Sequence, residues 1–303
     1  MSVRQTRWMA VVVTVVGVAA IQGCGTAPPS TAAGEPVLGT IPVITDRAGV
    51  SFPLDSYLVT PEQRLSADRA SDILLRDCLK RFGFDYAPPA RLTLDYPDRA
   101  MGVVDDSDAA KYGYHNHAAE DQARKVGEAK AKEAPMPSAM VNVISGKGQS
   151  QLNGVDVPEG GCQGEVSRML GGSMDNPAGM GDQNFVIGLA AKSNDLAEAD
   201  SRLKVAFDQW SKCMAESGYH YRNPWGANDD PAFGGTAPTP AEIATARTDV
   251  ACRNRFNVTG TWVAVRSAYQ NRLVEQNAEG LRRYKDGMAE RLRRAVEIVS
   301  AGK

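Results

Sequence analysis

The sequence predicts a mainly α fold: two disulfide-stapled helical repeats with long irregular loops and a long C-terminal helix. Three observations lead there. Helix-start signatures recur at Thr60-Pro61, Asp195 and Thr239-Pro240. Apolar residues after each follow three- and four-residue steps. The stretch "CLKRFGFDY" (78–86) returns as "CMAESGYHY" (213–221), sharing cysteine, glycine, aromatic and tyrosine in register. Aromatic residues make up only 7% of the chain, while it holds 29 glycines and 17 prolines, a composition that suits helices joined by loops.

The N-terminus reads as a leader. Arg4 and Arg7 precede an uncharged apolar run from Trp8 to Ile21, followed by Gly23-Cys24. That run would reach about 21 Å as a helix, against a hydrocarbon core of about 30 Å, so a secretory signal over residues 1–23 is the better reading than a permanent span. Ile21, Gly23 and Cys24 suit a lipobox, which makes Cys24 the acylated first residue; ordinary signal cleavage that leaves Cys24 a thiol is the alternative. Residues 24–40 are small and proline-bearing, as a flexible tether requires. The expected location is the outer face of the cytoplasmic membrane, held by the lipid. Losing Arg4 and Arg7 takes the formal charge from −2 to −4, which argues against a nucleic-acid partner.

Next, "GVSFPLDSYLVT" suggests a short edge strand or extended arm, broken by Pro53. Thr60 with Gln63 forms a capping box, and a helix should run to about Phe82 with Leu74, Cys78 and Phe82 on its buried stripe. Residues 41–185 form the expected first repeat. Within it, residues 87–161 read as a partly mobile insertion, rich in charge and proline, with a short helix near 118–133. Residues 186–303 form the second repeat and the long helix. Asp195 and Glu198 suggest a helix start, with Leu203, Phe207, Trp210 and Met214 on its apolar face. Thr239 with Glu242 opens another helix to about Asn257, and the proline-free run from Thr261 to about Val299 reads as one helix of roughly 60 Å. Gly83 and Gly218 sit where a helix takes a left-handed terminal residue, so the echo marks helix ends rather than a catalytic motif.

With Cys24 assigned to lipid, Cys78, Cys162, Cys213 and Cys252 remain, an even number in an exported chain. Four cysteines allow three pairings, and the repeat selects Cys78–Cys162 and Cys213–Cys252. Their spacing lacks the C-x2-C of zinc sites, and the H-x-H of His115 and His117 lacks a third histidine, so neither metal nor cofactor is expected. No G-x-S-x-G, G-x-G-x-x-G or P-loop pattern occurs, and no catalytic residue is assigned. A ligand cleft between the repeats would be lined by Trp210, Tyr219 and Trp225. The C-terminal helix carries Arg282, Arg283, Lys285, Arg291, Arg293 and Arg294, suited either to an anionic surface or to a solvated face of ion pairs.

The lipobox, "FPLDSY", "CLKRFGFDY", "YGYH", "VPEGGCQGE", "WSKCMAESGYHYRNP", "TPAEIATARTDVACR" and "AYQNRLVEQNAEGL" together resemble a family of actinobacterial secreted lipoproteins without an assigned activity. The resemblance spans nearly all of the mature chain. It implies association with an ABC exporter and its peptidoglycan-binding adaptor, and it supplies no catalytic residues. The expected role is a non-enzymatic binding or accessory module, with an ABC export complex as the partner that the resemblance implies; the alternatives are capture of a peptide or cell-wall fragment and, behind it, a secreted hydrolase.

Overall fold

A computed structural model describes residues 34–48, 50–89, 101–172, 176 and 179–302. The leader, Cys24 and the tether up to residue 33 lie outside the described residues, as does the part of the insertion from 90 to 100. The described chain is mainly helical: α1 (Pro61–Arg81), α2 (Asp106–Tyr112), α3 (His117–Ala131), α4 (Ser138–Ser145), a hairpin of β1 (Gln151–Leu152) and β2 (Val155–Asp156), then α5 (Gly161–Met169), α6 (Gln183–Ala199), α7 (Ser201–Glu216), α8 (Pro224–Asn228), α9 (Pro240–Arg255), α10 (Val258–Gln276) and α11 (Ala278–Ala301). Residues from Glu35 onward belong to one contact unit, in which α1 packs along α11, α2 against α9, and α6 against α10.

The helix starts follow from their caps. Thr60 Oγ1 accepts from Gln63 N–H and the Gln63 side chain returns to the Thr60 N–H, so the predicted box closes in both directions. Thr239 and Glu242 repeat it at α9. The helix ends of the echo are also as the sequence implies. Gly83 and Gly218 adopt φ +82° and +86°; Phe84 N–H bonds Leu79 O at 3.2 Å and Tyr219 N–H bonds Met214 O at 3.0 Å. Each aromatic folds back toward the last turn of its own helix, in a Schellman arrangement.

Both predicted disulfides form, Cys78–Cys162 and Cys213–Cys252, each with a Cα–Cα distance of 5.8 Å. In α1 and α7 the cysteine occupies the same place, one turn before the terminal glycine. Their partners differ: Cys162 stands in the first turn of α5, whereas Cys252 stands in the last turn of α9. What the two stretches share is a helix end, and the different placement of their partner cysteines does not confirm a repeated unit.

Three expectations change, and the short helix expected near 118–133 in the insertion forms as α3. The Asp195–Glu198 pair does not start a helix but lies inside α6; the start is at Asp200, whose carboxylate accepts from Arg202 N–H at 2.9 Å and caps α7. The stretch 261–299 is two helices divided at Asn277, whose Nδ2 donates to the Leu273 carbonyl at 2.7 Å and so competes for the last turn of α10. The C-terminal helix proper is α11, 24 residues and about 36 Å long. Residues Pro53–Tyr57 form a 3-10 turn, not a strand, because Asp55 closes back onto the Phe52 N–H at 2.7 Å. The insertion holds α2 to α4 and the hairpin, and Met101, Val103, Val104 and Tyr114 within it are buried in the largest core cluster. The hairpin turns at Asn153-Gly154, both with positive φ, and Asn153 Nδ2 donates to Phe82 O at 2.9 Å, which ties the hairpin to the end of α1.

Candidate functional site

Each expected ligand-lining aromatic occupies a defined place. Trp210 is fully buried, and its Nε1–H donates to Asp249 Oδ1 at 2.8 Å. Tyr219 seals the end of α7. Trp225, at the start of α8, packs edge-on against Phe207 at 5.2 Å and lies 6.0 Å from Trp262. Tyr219 and Trp225 pack against the core cluster that holds Trp210, and Trp225 borders a slot of about 20 Å³ beside Arg253 whose lining includes neither Trp210 nor Tyr219. A slot that size has room for little more than a water molecule.

Around Trp210 the structure assembles a buried polar network. Asp249 and Arg253, one turn apart on α9, are 0% and 4% exposed and pair through Nε–Oδ1 at 2.7 Å and Nη2–Oδ2 at 3.0 Å. Asp249 accepts further from Trp210 and from the Tyr114 hydroxyl at 3.3 Å, while Arg253 Nη1 donates to the Met101 carbonyl. Two turns before Asp249, Glu242 is buried and accepts from the Tyr114 N–H at 2.9 Å; His115 approaches the same carboxylate at 3.6 Å and the Glu120 carboxylate at 2.8 Å. Burial, and then the Asp249 charge, push the Tyr114 hydroxyl well above its ordinary range. The network fastens residues 101–115 to α9. Its two carboxylates, Glu242 and Asp249, and the Arg253 guanidinium are engaged within it, which is what a structural joint does.

The sequence reading used Glu242 only as the capping partner of Thr239 and did not single out Asp249 or Arg253. Their spacing of seven and four places them on one helical face with Ala246 and Val250, so a helical wheel that tolerated charge on the buried side would have found them. His117 stacks on Tyr112 at 3.7 Å, away from this face. Among the described residues, no group of three His, Cys, Asp or Glu is placed to hold a metal ion.

The larger cavity lies elsewhere, where residues 47–58 cross α6 and α10. Its volume is about 390 Å³, in the lower part of the roughly 300–1,000 Å³ range of small-molecule sites. Phe52, Leu54, Val186 and Trp262 give it an apolar wall, and Arg47 and Arg266 add two guanidinium groups. Gln270 braces the floor: its Oε1 accepts from Leu54 N–H at 3.0 Å and its Nε2 donates to Ser193 Oγ at 3.2 Å. Arg266 lies over the Phe52 ring at 4.3 Å and the Trp262 ring at 5.0 Å, and the two rings meet edge to face at 5.5 Å. Arg47 donates to the Gly102 carbonyl.

The arm that closes this cavity is pinned upstream. Glu35 accepts from Ser201 N–H at 2.6 Å and Ser201 Oγ at 2.8 Å, Arg202 Nη1 donates to Pro36 O at 2.8 Å, and Asn257 Nδ2 donates to Pro42 O at 2.9 Å. On α11, three of the six cations of the sequence reading pair along the helix: Arg283 with Glu279, Arg293 with Glu290 and Glu297, and Arg294 with Glu290 at 2.7 Å. No protein-family profile, curated protein or solved structure matches the chain.

Proposed function

We propose that the chain is an exported lipoprotein, tethered through Cys24 to the outer face of the cytoplasmic membrane, whose folded part is a non-enzymatic binding module. The observation that carries the binding role is the cavity between residues 47–58 and helices α6 and α10: it is apolar-walled, of small-molecule size, and closed by an arm that is itself pinned to the fold. The export reading is supported by the leader pattern and by two disulfides that consume every cysteine except Cys24. Metabolic labelling with palmitate, followed by membrane fractionation, tests the tether. Wild-type chain is expected in the membrane fraction with label, and Cys24→Ser in the soluble fraction without it. Label-free wild type would refute the tether.

A second reading is an accessory role beside an ABC exporter. It draws on the family resemblance and on α11, where Arg282 and Arg283 are solvent-exposed. Detergent pull-down of the tethered protein should then recover exporter subunits, and Arg282→Glu with Arg283→Glu should lose them. Recovery unchanged by that reversal would remove α11 from the docking surface.

A further inference from the structure

We propose that the N-terminal arm, residues 36–45, together with the first turns of α7, is a face that docks onto the lipid bilayer. The proposal rests on the reading that Cys24 tethers the chain to the membrane, and it adds a second, non-covalent contact.

The first ground is exposed apolar surface on a segment that is held in place. The run from Pro36 to Thr45 carries no charged residue. Leu38 and Ile44 pack against the largest core cluster, while their neighbours Val37 and Val43 are 94% and 80% exposed, and Ile41 between them is 40% exposed. A loose arm could fold such side chains back onto the protein. This one is clamped near both ends, by Ser201 on Glu35, Arg202 on the Pro36 carbonyl and Asn257 on the Pro42 carbonyl. The clamp is close enough that a Cβ at Gly260 would collide with the same Pro42 carbonyl.

The second ground is a neighbour on the fold. Val205 is 57% exposed and lies one turn beyond Ser201 on the same side of α7, so it adjoins the point at which Glu35 is held. Single exposed apolar residues need no explanation, but here three fall within seven residues of arm and a fourth stands beside its anchor.

The third ground is position along the chain. Glu35 follows Cys24 by eleven residues, about 40 Å at full extension. With Cys24 in the bilayer, contact between arm and membrane is intramolecular, at an effective concentration in the roughly millimolar range, so a weak apolar contact is enough to be populated. A second copy of the chain is the poorer occupant. Stable dimers bury about 800 Å² per partner, more than four aliphatic side chains supply.

With the other four cysteines in disulfides, Cys24 of the unacylated mature chain is a free thiol, and it can be coupled to a maleimide lipid in phosphatidylcholine vesicles. Tryptophan introduced as Val43→Trp on the arm is compared with Val296→Trp on α11, using vesicles whose acyl chains are brominated or plain. A docked arm sits about 5–10 Å into the interface, so bromination should remove about half or more of the emission added by Val43→Trp and leave that of Val296→Trp unchanged. Adding Val37→Asp and Val205→Asp to the Val43→Trp chain should restore most of it. Raising the salt to about 1 M should leave the quenching as it was, because the arm is uncharged. Equal quenching at both positions, or quenching that survives the two aspartates, overturns the docking face. Dimerisation of the uncoupled chain that Val37→Asp abolishes, read by sedimentation, assigns the face to a second copy and overturns it too. Palmitate labelling of Cys24 without arm quenching refutes the face and leaves the tether; arm quenching without palmitate labelling supports the face and refutes the tether.

Discussion

Asp249 is the most demanding residue in the fold, and its removal has a calculable effect. In Asp249→Ala, Arg253 stays 4% exposed with only the Met101 carbonyl as partner, while Trp210 Nε1–H and the Tyr114 hydroxyl each lose an acceptor. Breaking one side of a buried ion pair costs about 3–5 kcal/mol, and each stranded neutral donor adds about 1 kcal/mol or more where no water can reach it. Some relaxation around the smaller side chain offsets this, so a loss of about 4–5 kcal/mol is expected. That is a large share of the roughly 5–15 kcal/mol that holds a typical domain folded. With a urea slope of about 3 kcal/mol/M, the midpoint should fall by about 1.5 M. Tryptophan fluorescence with the disulfides intact is a suitable readout, since Trp210 itself reports on the site. The decisive comparison is Asp249→Leu with Arg253→Met, which removes both charges and should recover at least half of the loss. If Asp249→Ala costs less than about 1 kcal/mol, or if the double variant is no better than the sum of the singles, the network is not the joint described above.

Further outcomes follow from other residues. Replacing Cys213 and Cys252 by serine should cost about 4 kcal/mol, and replacing Cys78 and Cys162 slightly more, because the sequence separations are 39 and 84 residues; urea melts of the two double variants test the order. Gly218→Ala should cost about 1 kcal/mol through backbone strain alone, since φ is +86° and a Cβ there meets nothing within 4 Å; a loss no larger than that of an exposed alanine substitution elsewhere would refute the Schellman assignment. Gly260→Ala should loosen the N-terminal arm, as a Cβ would collide with the Pro42 carbonyl, and hydrogen exchange should rise over residues 35–48 ahead of the core. For Asp200, burial opposes ionisation, but the hydrogen bonds and charge of Arg202 outweigh it and hold the carboxyl below its usual range. A depressed carboxylate stabilises the fold above its unfolded pKa, and that contribution disappears as pH falls through the folded value. Asp200→Asn should therefore lose stability at pH 7 and show a flatter decline below about pH 4 than wild type, measured by urea melts across pH.

Local chemistry explains what the sequence made visible. Thr60-Pro61 and Thr239-Pro240 announce helices because capping involves residues three apart, and Gly83 and Gly218 announce helix ends because few other residues tolerate positive φ. The disulfide pairing was legible because four cysteines allow three pairings and the echo of 78–86 in 213–221 selected one of them. Asp195 misled because it and Glu198 have cap spacing, yet α6 already runs through them from Gln183. Asn277 went unnoticed because one asparagine in a proline-free run carries no strong break signal, and its effect depends on reaching the Leu273 carbonyl. Asn153-Gly154 did carry a hairpin signal, which the charge and proline around it obscured. The buried face of α9 carries Glu242, Asp249 and Arg253 beside Ala246, Val250 and Cys252, and apolar periodicity marks only the apolar members of that face. The cavity had no local signature at all: Phe52 and Trp262 come from segments some two hundred residues apart.

The docking of α2 onto α9 also fixes an order of events in time. A chain emerging N-terminus first can gather α1, α4, the hairpin and α5 around Cys78 and Cys162, since all of that cluster lies before residue 170. The first covalent loop can therefore be oxidised early. Met101, Val103, Val104 and Tyr114, enclosed in that loop, must wait for α9 to arrive more than a hundred residues later before they are covered. During that interval a sealed loop presents a sticky face, and the speed with which the second half follows sets how long the nascent chain remains open to misassembly.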